Sequence, residues 1–129
     1  MARLPPDVAW LAGARSNDVV GRLLQESDGL VLPSVSEPWG IVVTEALGLG
    51  VPVLSSNLVG ASVSLAPEVG EAIQLVGPAA EDWAAAFDGA PASQEPRRRA
   101  AEAIAPAIRA RFGLAEVVRR FAEWGERGG

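Results

Sequence analysis

Two carboxylates stand where a purely structural reading would not put them, in the stretch Ser34–Val53, SVSEPWGIVVTEALGLGVPV. Glu37 comes just before Pro38-Trp39-Gly40, and Glu45 sits inside the apolar run that follows. A carboxylate offers acceptor positions that suit a vicinal diol, and charged acceptors make the stronger hydrogen bonds. The same group repels a phosphate. Backbone amides at the start of a helix do the opposite, because the unsatisfied N–H groups and the helix dipole favour an anion there. A helix starting near Gly40 therefore predicts a division of labour. The amides of Trp39, Gly40 and Ile41 hold a phosphate or sugar hydroxyls, and the two acids accept hydrogen bonds from hydroxyls. At about 100° per residue, Val42, Val43, Ala46, Leu47, Leu49 and Gly50 fall on one side of this helix. Ile41, Thr44, Glu45 and Gly48 fall on the other, which gives Glu45 a narrow strip opened by Gly48. Against this stands a plain reading: Glu37 favours the helix dipole, Glu45 is solvated, and Trp39 packs.

The residue inventory narrows the chemistry further. The 129-residue chain has no Cys, His, Tyr or Lys, so all eleven basic side chains are Arg. Thiol nucleophiles, Schiff-base lysines, Ser-His relays and disulfides are excluded. Zinc and copper sites of the nitrogen and sulfur kind lack ligands; an all-oxygen Mg²⁺ site stays open, although no Asp-x-Asp or EF-hand spacing appears. A net charge of −5 argues against a nucleic-acid partner. The one basic cluster, Arg97-Arg98-Arg99, reads as the solvated start of a helix rather than as an anion site. No apolar run reaches the ~18 residues of a transmembrane helix, and the N-terminus lacks the apolar core of a signal peptide. A cytoplasmic location is expected, and the length fits one domain.

Several elements must position the two acids. Val8–Ala12, ending at Gly13, reads as a strand. Ser16-Asn17-Asp18 supplies N-cap candidates for a helix carrying Val19, Leu23 and Leu24. Leu30–Leu32 is a second strand, Val51–Leu54 a third with Pro52 at its entry, and Ala72–Val76 a fourth. Gly50 is the C-cap signal of the helix between the second and third. Short apolar strands alternating with helices predict an α/β fold with parallel strands and helices on both faces. Beyond, Glu81–Phe87 reads as a short helix, Pro91–Pro96 as a linker, and Arg97–Phe112 as a longer helix kinked at Pro106. Leu114, Val117, Val118, Phe121 and Trp124 mark a final amphipathic helix.

Glu37-Pro38-Trp39-Gly40, then Glu45-Ala46, then Gly50-Val51-Pro52-Val53 resembles the GT-B glycosyltransferases of family 4, retaining enzymes that use nucleotide-sugar donors. Asp28-Gly29-Leu30-Val31-Leu32-Pro33-Ser34 resembles that family's strand end before the motif. The resemblance implies a partial Rossmann-like (GT-B C-terminal) domain, with residues 1–90 as the nucleotide-sugar-binding region and 91–129 as a C-terminal helical segment of the same domain. It implies that Glu37 is the first acid of an E-x7-E motif, near the donor sugar and the reacting phosphate, with no nucleophilic role assigned. Glu45 then binds the ribose hydroxyls, and Ser36, Pro38, Trp39, Gly40 and Ile41 complete the donor contacts. Gly13, Ala14 and Arg15 would lie near the base. The nucleotide-diphosphate sugar is a substrate, and no cofactor or metal is expected.

The chain departs from that family's pattern in two places. The family's donor domain opens with two further βα units carrying a Gly-Arg turn and a diphosphate-binding Arg/Lys pair, and nothing before Val8 resembles them. In the strand order 3-2-1-4-5-6 the Val8 strand would then lie across a two-strand gap from the Leu30 strand, leaving backbone groups unpaired. The strand re-pairs directly, another chain supplies strands, or the sequence is a fragment of a longer protein; the fragment is the expectation. After Ser55-Ser56-Asn57, Gly60-Ala61-Ser62 stands where the family often has Gly-Gly and an acid. The partners expected are a nucleotide-sugar donor and a missing acceptor domain or partner chain. With diphosphate-binding cations missing, the chain alone is expected to be weakly active or inactive, since fixed positive groups stabilise the leaving phosphate. The rivals are a non-catalytic nucleotide-sugar-binding module or subunit and a non-functional remnant.

Overall fold

The computed structural model describes residues 16–113. In chain order the elements are α1 (Asn17–Glu26), β1 (Leu30–Leu32), α2 (Ile41–Gly48), β2 (Val53–Ser56), α3 (Gly60–Val69), a 3-10 turn (Gly70–Ala72), β3 (Ile73–Val76) and α4 (Ala80–Phe112). The strands form one parallel sheet in the order β1-β2-β3. Leu30 pairs with Val53 and Val53 with Ile73, while Val31 pairs with Leu54 and Leu54 with Gln74. This is the expected α/β architecture, a partial Rossmann-like domain. The strand expected at Val8–Ala12 and the helix expected from Leu114 lie outside the described residues.

The alternation along the strands separates two cores. Val53 and Ile73 join Leu24, Val43, Leu47, Leu65, Val69, Ala101 and Ile108 in the larger one, built from α1, α2, α3 and the back half of α4. Leu54 and Val76 point to the other face, where they meet Trp83 and Ala86 from the front half of α4. Val43, Leu47, Val53, Val59 and Leu65 are essentially inaccessible, and each such side chain stabilises the fold by about 1.5–3 kcal/mol relative to exposure.

The C-terminal end of α2 shows how local signals set the sheet. Gly50 has φ 76°, which a Cβ would disfavour. Its N–H donates to Leu47 O at 3.0 Å, and the N–H of Val51 donates to Ala46 O at 2.9 Å. These are the two bonds of a Schellman cap. They correct the expected start of the third strand: the Val51 amide is spent on the helix, so β2 begins at Val53 and runs on to Ser56.

Two further expectations are revised. The separate helices 81–87 and 97–112 and the linker 91–96 are one helix of 33 residues, with Pro91, Pro96 and Pro106 inside it. Arg97-Arg98-Arg99 therefore lies mid-helix. All three prolines are exposed, so the carbonyls they leave unpaired can bond water, while burial of Ala101, Ala105 and Ile108 on the inner side holds the helix together. Gly60–Val69, a stretch for which the sequence predicts no element, is helical.

Candidate functional site

The candidate residues gather at the carboxyl end of the sheet. The chain leaves β1 at Leu32, passes through Ser36 and Glu37, and enters α2 at Ile41. Glu37 forms an isolated parallel bridge with Val59, which carries the β1–β2 pairing past the sheet. Its N–H donates to Leu58 O at 3.4 Å, its carbonyl accepts from Gly60 N–H at 3.0 Å, and Trp39 O accepts from Ala61 N–H at 2.8 Å. The loop is thus tied backbone to backbone onto the start of α3. The contact is close: a Cβ on Gly60 would lie 2.0 Å from Pro38 O.

These bonds separate the two helix N-termini at this edge. The amides of Gly60 and Ala61, at the start of α3, are consumed by the loop carbonyls. At α2, Val43 N–H donates to Gly40 O, and among the described residues the amides of Trp39, Gly40, Ile41 and Val42 have no backbone acceptor. No side chain caps α2. Gly40 makes this possible, with φ 94° and ψ 75° in the region that disfavours side chains. A Cβ there would come within 2.9 Å of Val59 Cγ1 and 3.3 Å of Glu37 Cγ. Gly40 is buried, Glu37 is half-buried, and Ser36, Pro38 and Ile41 are exposed.

Glu45, on the second turn of α2, is half-buried, and desolvation holds its carboxyl above the ordinary carboxylate pKa. No ion pair or hydrogen bond neutralises it among the described residues. The strip expected around it is not open as the helical wheel suggested. Thr44 and Gly48 are buried, and Leu49, expected inside, is exposed. The cause is α4: Arg109 Nη1 donates to Gly48 O at 2.6 Å, so the back of the long helix covers that side. The Thr44 hydroxyl meets its bonding need locally, on Ile41 O at 2.8 Å.

The end of α4 also reaches the loop. The rings of Trp39 and Phe112 lie 6.0 Å apart, tilted by 44°, a favourable aromatic geometry. Arg111 stacks over Phe112 at 5.3 Å and is ion-paired to Glu68. Sequence reasoning missed these supports: the spacing of Gly60 and Ala61 from Glu37 and Trp39 becomes meaningful only once β1 and β2 pair. Gly13, Ala14 and Arg15 lie outside the described residues. No cluster of three metal-ligating side chains occurs among the described residues, nor does any helix long and apolar enough to cross a membrane.

Open α/β sheets bind ligands at their carboxyl edge, and in this α/β domain that edge carries one open helix N-terminus flanked by two acids. Residues 2–105 match the family described as "Glycosyl transferases group 1", and the chain belongs to that family. It is similar to the D-inositol 3-phosphate glycosyltransferase of Rhodococcus opacus, 38% identical over 85 residues, which cover 65% of this chain and 18% of the relative. It is also similar to an uncharacterised glycosyltransferase of Methanocaldococcus jannaschii, 42% identical over 48 residues, 37% of this chain and 12% of the relative. The chain therefore spans less than a fifth of the length of these curated relatives.

Proposed function

We propose that this chain is the donor-site portion of a retaining glycosyltransferase of family 4, corresponding to the C-terminal domain of a GT-B enzyme. It takes a sugar from a nucleotide-diphosphate donor to an acceptor. The observation that carries this reading is the open N-terminus of α2, set between Glu37 and Glu45 at the carboxyl end of β1. The amides of Gly40, Ile41 and Val42 face the diphosphate, where half a unit of positive charge from the helix favours the anion. Glu45 accepts hydrogen bonds from the ribose diol. Glu37, held by its bridge to Val59, stands beside the donor sugar and orients its hydroxyls. The chemistry asks these groups to bind and position; it asks for neither a nucleophile nor a metal among them. Arg109 and Arg111 are engaged with Gly48 and Glu68, so neither of these two described arginines is free to stabilise a departing diphosphate. Alone, the chain is weakly active or inactive.

A second reading, a non-catalytic nucleotide-sugar-binding module or subunit, draws on the same engaged arginines. The test is ligand-observed NMR on the purified chain with UDP, GDP and ADP, repeated on Glu45→Ala. Saturable binding of one nucleotide that is lost in the variant supports both readings. Turnover on joining the acceptor-side domain then selects the enzyme. A folded chain that binds none of the three overturns the module reading and leaves a site completed only by the rest of the enzyme.

A further inference from the structure

At the other end of the sheet, an open groove of about 560 Å³ runs between β3 and the middle of α4, lined by Glu71, Gln74, Leu75, Ser93, Pro96 and Arg97 among others. A smaller groove of about 160 Å³ lies between α4 and the starts of β1 and β2, and Arg97 borders it as well. The arginine at this junction differs from the others. Six arginines fall within residues 16–113. Arg22, Arg98, Arg99 and Arg111 are ion-paired, and Arg109 binds the Gly48 carbonyl. Arg97 alone among them has neither an ion pair nor a hydrogen bond among the described residues. It is half-buried, and desolvation lowers its pKa against the opposing pull of Glu71. A guanidinium keeps its charge in such a place, and Glu71 attracts it without an ion-pair contact, so its donors remain open to an anion that reaches them.

We propose that this groove is a second binding site, taking a monocarboxylate with an apolar body: the carboxylate on Arg97 and the hydrocarbon on Leu75 and Pro96. A guanidinium pairs with a carboxylate in a two-bond fork. Gln74 lines the groove as well, whereas the Ser93 hydroxyl is already shared between Gly89 O and Ala90 O. Glu71 supplies the selectivity. Its carboxylate on the same wall, in a chain of net charge −5, repels multiply charged anions, so inorganic phosphate and nucleotides are poor ligands. The groove is thus chemically distinct from the α2 site and does not depend on the reading proposed for it.

The test is a titration of the ¹⁵N-labelled chain with hexanoate, acetate and inorganic phosphate, followed by amide NMR. Hexanoate shifts the amides of Gln74, Leu75 and Ser93 saturably, with an affinity in about the millimolar range expected of so small a ligand. Acetate and phosphate bind more weakly. Arg97→Gln removes the hexanoate shifts while the chain stays folded by circular dichroism. Glu71→Gln tightens hexanoate by about twofold, the size of a screened charge effect. Leu75→Ser, at a position already 39% exposed, weakens hexanoate and leaves acetate unchanged, which tests the site even if Arg97→Gln fails to fold. Hexanoate shifts that persist in Arg97→Gln, phosphate binding as tightly as hexanoate, or no saturable shift at all would each overturn the proposal.

Discussion

Glu45 couples the stability of the fold to the proposed function. Its carboxyl has a raised pKa because burial disfavours the charged form. The folded state therefore holds this proton more tightly than the unfolded state does. The contribution to stability is greatest below the ordinary carboxylate pKa and is lost as pH rises through the folded value, so at neutral pH the ionised group destabilises the fold. Glu45→Gln should thus raise the melting temperature at pH 7, and the gain should vanish below about pH 4. The same variant should weaken nucleotide binding about tenfold to a hundredfold, because the diol loses a charged acceptor. Thermal melts across pH beside a nucleotide titration check both halves. A melting temperature that does not change with the substitution would mean the carboxylate is better solvated than its surroundings imply. The sequence showed the two acids and the Pro-Trp-Gly entry between them. It did not show that Gly48 is roofed by Arg109, because that contact joins residues 61 positions apart and leaves no periodic trace.

Between the elements, the decisive joint is the one between the loop before α2 and the start of α3. It is made of backbone, and its tolerance is read at Gly60. Gly60→Ala places a methyl group 2.0 Å from Pro38 O, so the loop or the helix must shift. The expected cost is about 1–3 kcal/mol in urea denaturation, together with loss of nucleotide binding as Glu37 moves. An alanine there that left both unchanged would show the joint to be loose. Strands β1 and β3, α1, and α2 with its Gly50 cap were legible from short apolar runs and punctuating glycines. α3 and the unbroken α4 were not. Pro67 lies inside α3 and three prolines inside α4, and proline argues locally against a helix. Burial decided otherwise: Ala61, Leu65 and Val69 from α3, and Ala101, Ala105 and Ile108 from α4, are enclosed, and tertiary packing outweighs propensity.

For the whole molecule, α4 is the piece that serves both faces of the sheet. Its back half belongs to the larger core and its front half covers Leu54 and Val76. Asp28 marks the crossing, bonded through its backbone to Gln94 and through its side chain to Arg98 at 3.3 Å. The two halves should differ in energy. Ile108→Ala, at a side chain 4% exposed, should cost about 2–5 kcal/mol. Phe87→Ala, at a side chain 52% exposed that pairs with Trp83 at 6.1 Å, should cost less than about 1.5 kcal/mol. Chemical denaturation of the two variants measures the difference, and equal losses would show the front half to be as structural as the back.

The tie between the α2 loop and α3 has a further consequence, in time rather than in energy. A loop whose carbonyls already hold the amides of Gly60 and Ala61 is tied in one shape before any ligand arrives. A nucleotide meeting it should therefore associate in one step, with an observed rate that rises linearly with concentration and no plateau from a slow rearrangement.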